Sequence, residues 1–150
     1  MNMTASERVI APELEKYLRD SFSTLANNSR IVNNLMACGG MNQQQARNAL
    51  IWGTDPFVWV QEPSNRKCAN GVGNVKCAFD AGSNSIEVDV THFDNFLRGA
   101  GTVTTPNGKV PMIGVALLHA LCHWGNYNFG TTEKKEMGFE FELMTYGAKM

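Results

Sequence analysis

His119 and His123 stand four residues apart in a stretch, Pro111 to Trp124, with no charged side chain. If that stretch is helical, residues i and i+4 lie one above the other on the same face. Two imidazoles so placed can hold one Zn²⁺. Eighteen residues then separate His123 from Glu142, a carboxylate able to close a three-ligand site. Glu142 sits among Phe139, Leu143 and Tyr146, and a carboxylate on a mostly aromatic face is expected to be paired or metal-bound. Glu140 is the alternative ligand. Glu133 and Glu136 share the same acidic segment and otherwise read, like most charge clusters, as a solvated helix face.

The competing reading of the histidines is two core imidazoles hydrogen-bonded to backbone or side chains. H-x-x-x-H alone does not decide between them, because the pattern recurs by chance. Context favours ligation. His119 and His123 are two of only three histidines, and an acidic segment follows them. A helix apolar on nearly every side is buried, and buried imidazole nitrogens need partners. His92, the third histidine, is a candidate for orienting substrate or stabilising an oxyanion, against the commoner role of a surface or capping residue. Tyr146 and Tyr127 are candidates for polarising a carbonyl, against plain packing.

These side chains require positioning elements. The 150 residues suffice for one domain with a real core. Thirteen basic and fourteen acidic residues leave no dominant basic patch, which argues against nucleic acid as a partner. The Pro111–Trp124 stretch is too short to span a bilayer, and the charged Met1–Glu15 segment lacks the apolar core of a signal peptide. Helix is expected over Thr4–Ala26 with a break near Pro12, over Arg30–Ala37 capped by Ser29, and from Asn42 to Gly53. Strands are expected at Phe57–Val60, Asn74–Phe79 and Ser85–Val90, the last alternating apolar and polar residues. Thr91 is placed to cap a short helix, Phe93–Arg98. Gly99–Lys109 reads as a flexible loop. The histidine helix is expected to begin at Pro111 and stop at Gly125-Asn126, and the acidic helix to begin at Thr132–Glu133 and end at Tyr146. The order gives an α+β fold in a single domain: residues 1–53 as helical scaffold, 57–90 as strand region and 111–147 as the two metal-site helices.

Four cysteines, Cys38, Cys68, Cys77 and Cys122, form no paired C-x-x-C knuckles, so a structural zinc ribbon is not expected. Cys68 and Cys77 bracket a glycine- and asparagine-rich loop that would let them pair in an oxidising compartment; two free thiols are the alternative.

The run His119-Ala120-Leu121-Cys122-His123 with Glu142 resembles the gluzincin peptidases, whose ligands are H-E-x-x-H plus a more distant glutamate. The wider run Leu118–Asn126, with Gly138–Glu142 and Tyr146-Gly147, resembles the compact metallopeptidase toxin domains of bacteria. That similarity spans about Ser85 to Gly147 and leaves out everything before Tyr17. It implies a zincin-like fold, Zn²⁺ held by His119, His123 and Glu142, and a peptide or protein substrate. It also implies delivery into a rival cell by a type VI secretion spike or a polymorphic toxin, action in the target periplasm, and a cognate immunity protein. Ala120 departs from the pattern. The family's glutamate at this position takes a proton from the metal's water and returns it to the leaving amine, and alanine does neither. Ala120 is thus either an engineered silencing replacement, which the reading favours, or native to a non-catalytic, zinc-stabilised binding module. A hydrolase of cell-wall peptide stems is the further alternative.

Overall fold

A computed structural model describes residues 1–61, 77–106, 108–130 and 136–150. The N-terminal half is helical: α1 (Ala5–Ile10), α2 (Pro12–Asp20), a 3-10 segment (Phe22–Asn27), α3 (Ser29–Gly39) and α4 (Gln43–Leu50). The chain breaks at Ala11, and Pro12 opens α2, where its missing N–H costs no helical hydrogen bond. Asn28, one residue before the expected Ser29, caps α3 by accepting from the Arg30 and Ile31 amides. Asn42 and Gln45 form a reciprocal capping box at the start of α4. That helix ends at Leu50 rather than Gly53, because Ile51 is already extended.

Three strands follow, β1 (Phe57–Gln61), β2 (Cys77–Asp80) and β3 (Ser85–Asp89), in the order β1-β3-β2. β3 pairs parallel to β1 and antiparallel to β2. Its alternation works as expected: Ile86 and Val88 are fully buried while Glu87 and Asp89 are half-exposed. The expected strand extended to Val90, but the Asp89 carboxylate accepts from the Thr91 amide and Val90 opens α5 (Val90–Leu97). β3 is central, with both edges already paired, so it has no free edge for an added strand, and β2 lies beside the next long helix.

β4 (Thr102–Thr105) and β5 (Gly108–Pro111) form a hairpin where a loop was expected. The β-branched run Thr102-Val103-Thr104-Thr105 is a strand signal that the glycine and proline content around it obscured.

Helix α6 (Met112–Phe129) packs against α3, β2 and α7 (Met137–Tyr146), so its near-continuous apolar surface is buried as expected. It passes through Gly125-Asn126, the expected stop, and ends at Gly130 in the left-handed conformation. Gly125 serves packing instead, since a β-carbon there would collide with the Gly39 carbonyl oxygen of α3. Asn126 is buried and donates to the carbonyls of Cys38 (2.6 Å) and Cys122 (2.9 Å). Helix α7 starts at Met137 with Glu136 as its cap, whereas the expected start at Thr132–Glu133 lies outside the described residues. Cys68 also lies outside them; Cys77 is half-buried on β2, and Cys38 and Cys122 are buried. Among the described residues no helix is long and apolar enough to cross a membrane. The result is a mixed α+β domain in which two C-terminal helices face each other across the histidine pair.

Candidate metal centre

The i, i+4 spacing on α6 sets the His119 and His123 rings side by side, with centroids 5.1 Å apart. Helix α7 supplies carboxylates to both faces of His119. Glu142 Oε1 lies 2.6 Å from His119 Nδ1, and Glu136 Oε1 lies 3.2 Å from His119 Nε2 and 2.5 Å from His123 Nε2. Among the described residues, His119, His123 and Glu136 are the set whose ligand atoms converge closely enough to share one ion.

Glu136 is held there by its role as cap. Its second oxygen, Oε2, accepts from the Phe139 amide at 2.8 Å, which closes the first turn of α7 and aims Oε1 at the histidines. Gly138 permits the approach, because a β-carbon at this position would overlap the His119 ring. Phe139 meets the same ring edge-on at 5.1 Å, and the Lys149 ammonium lies 5.0 Å from the centre of Phe139. Glu142 is almost wholly buried, and its Oε2 accepts from the Met150 amide at 2.7 Å.

Glu136 Oε1 has both imidazole nitrogens within reach, yet it is a buried oxygen with no donor correctly aimed at it. Buried oxygens are seldom left without a donor, and such an exception calls for a functional explanation. Two ring nitrogens and a carboxylate oxygen that converge this closely fit a cation as their common partner. Ring nitrogen and carboxylate oxygen are also a ligand set that zinc accepts.

The electrostatics agree with this arrangement. Burial alone would lower the His119 pKa, but Glu136 and Glu142 outweigh it and raise the value from 6.5 to about 9. Burial would raise the pKa of Glu136, but the two imidazoles and the Phe139 amide hold it well below the usual carboxylate range. Without a metal, the two neighbouring glutamates therefore favour the protonated His119 ring.

The other candidates are placed as follows. Glu142 lies at His119, on Nδ1 rather than on the side where His119 Nε2, His123 Nε2 and Glu136 meet. Glu140 is half-exposed on α7 and is not in the converging set. His92 is half-buried on α5, also outside that set. Tyr146 is buried beside Phe141, and burial followed by the charge of Glu142 pushes its pKa up to about 12, so the phenol stays protonated. Ala120 is fully buried between the two histidine positions. Glu136 is the residue that sequence reasoning passed over. A carboxylate three residues before an aromatic run, followed at once by Met137-Gly138, was the available signal of a helix start with a close contact behind it.

No curated protein and no solved structure matches the chain. The family model described as Metallopeptidase toxin 3 matches residues 11–147. The match reaches well beyond the Ser85–Gly147 span on which the resemblance was first read, and it includes α2 to α4. The chain belongs to the metallopeptidase toxin 3 family.

Proposed function

We propose that this domain is a zinc-dependent peptidase effector that acts on peptide bonds in a rival bacterial cell, carried here in a form silenced at position 120. The observation that carries the reading is the convergence of His119 Nε2, His123 Nε2 and the donor-less Glu136 Oε1 in a member of a metallopeptidase toxin family. We assign these three residues as the ligands. A zinc ion held there supplies Lewis acidity for the attack of water on a peptide carbonyl.

The chain's own residues have separable tasks. Glu142 accepts the Nδ1 proton of His119 and so fixes the tautomer that leaves Nε2 free to ligate. This replaces its expected role as third ligand. Glu136, as cap of α7, ties the geometry of the site to the start of that helix. Ala120 has no group that exchanges a proton, so the step that shuttles one between water and leaving amine has no agent at this position. A glutamate placed here would be surrounded by core, which raises a carboxyl pKa toward the range suited to a general base. Delivery to the periplasm and protection by an immunity protein belong to the same proposal and rest on the family alone. A second reading, a zinc-stabilised binding module without catalysis, draws its support from Ala120 itself.

The two readings separate on one substitution. Ala120→Glu should raise peptidase activity by about 10²–10⁴-fold, the usual contribution of a positioned acid–base residue. The restored protein should be toxic when exported to the bacterial periplasm, and a further His123→Ala change should abolish both properties. A zinc-loaded Ala120→Glu protein with neither activity nor toxicity in any compartment would leave the binding-module reading in its place.

A further inference from the structure

Tyr127 continues the row begun by His119 and His123, each four residues from the last, so it occupies the same stripe of α6 one turn beyond the metal centre. It is 62% exposed although its ring packs against Phe79, with centroids 5.4 Å apart and planes tilted by 55°. Phe79 belongs to β2, one of the two outer strands of the three-stranded sheet, and shares with Cys77 the strand face that packs on the core.

This aromatic pair is held in place from outside. The turn between β2 and β3 carries Asn84 at φ 52°, and Asn84 Oδ1 accepts from Trp124 Nε1 at 2.7 Å and from Asn128 Nδ2 at 3.4 Å. Both donors flank Tyr127 on α6. The turn that leaves β2 is therefore fastened to the helix that carries the histidines, and Phe79 and Tyr127 pack against each other beside it. A rigid aromatic surface loses little entropy on covering a ligand.

We propose that Tyr127 and Phe79 form a side-chain subsite that selects an apolar or aromatic residue flanking the scissile peptide bond. One helical turn rises about 5.4 Å, and an extended peptide advances about 3.4 Å per residue. A peptide that runs along α6 with its carbonyl at the metal centre would therefore bring a neighbouring side chain, one or two positions away, over Tyr127. The inference rests on the metal-peptidase reading and extends it to substrate preference.

The test uses the zinc-loaded chain with Ala120 in place, so that bound peptides are not turned over. The probes are acetohydroxamate, which engages the metal alone, and peptide hydroxamates with Gly, Asp, Leu or Phe on either side of the chelating group. Leu and Phe probes should bind at least about tenfold tighter than Gly and Asp probes, a difference that burying such side chains readily supplies. Tyr127→Ala should bring all probes within about twofold of one another, with zinc content and acetohydroxamate affinity unchanged, because only the apolar platform is lost. Tyr127→Phe should keep the preference, since the ring face and not the phenol makes the contact. Equal binding of all four probes, or a preference that survives both Tyr127→Ala and Phe79→Ala, overturns the subsite and leaves the metal reading standing. Failure to retain zinc and to bind acetohydroxamate overturns both.

Discussion

Helix α6 meets its two helical neighbours by different rules. Against α3, glycines bring the backbones together, and the buried Asn126 amide donates to the carbonyls of Cys38 and Cys122. Against α7, a glycine again allows close approach, but what it brings near is a charged cluster, and Glu136 Oε1 is left without a properly aimed donor. Polar groups whose bonding is complete hold a fold together, while a buried group whose bonding is completed only by something else marks a binding site. The first contact should tolerate no loss of a partner. The second should gain from an added ion.

The largest break in this comparison is expected at the proposed ligands. His123→Ala or Glu136→Ala should weaken zinc binding by well over ~100-fold, since even outer hydrogen-bond partners typically cost 10–100-fold. Isothermal titration against a competing chelator measures this. Glu142→Gln comes next, expected to lower zinc affinity by about 10–100-fold through loss of the charged acceptor on His119 Nδ1. An effect of Glu142→Gln as large as that of Glu136→Ala would restore Glu142 as an inner ligand.

A change of pH sharpens the same contrast without mutation. Zinc must displace the Nε2 proton of an imidazolium whose pKa is raised to about 9. Apparent affinity should therefore rise about tenfold per pH unit between pH 6 and 8. In the metal-free protein the sign is the reverse for folding. The folded-state pKa of His119 lies above the unfolded 6.5, so this imidazolium's stabilisation is complete below about pH 6.5 and is lost as pH rises through about 9. Chemical denaturation at pH 6 and pH 9.5, with chelator present, reads the difference. The smallest effect on metal belongs to the α3 side. Asn126→Ala should cost about 1–3 kcal/mol of folding stability, because the Cys38 carbonyl loses its donor, while zinc affinity changes by less than about twofold.

What the sequence revealed of this site follows the same division. His119 and His123 were legible because helical periodicity alone puts them together, and no tertiary knowledge is required. The presence of a glutamate from the next helix was legible too, but which nitrogen it would face was not. That depends on where α7 begins, and Thr132-Glu133 looked a better start than Glu136 because threonine is a strong cap and glutamate is a weak one. Gly125 and Asn126 were misread as a stop for a related reason. Local preference treats them as helix breakers, whereas the close approach of Gly39 and the hydrogen bond to the Cys38 carbonyl give both a use inside the helix. Ala120 was visible as a departure from the outset, and its burial says what a carboxylate would experience there.

Anomalous diffraction at the zinc edge from crystals of the zinc-loaded chain tests the central claim most directly. The account predicts one peak per chain, bonded to His119 Nε2, His123 Nε2 and a Glu136 oxygen at about 2.0–2.2 Å, with Glu142 still on His119 Nδ1. No peak at the histidines, or a peak bonded to Glu142 with Glu136 turned away, would contradict it.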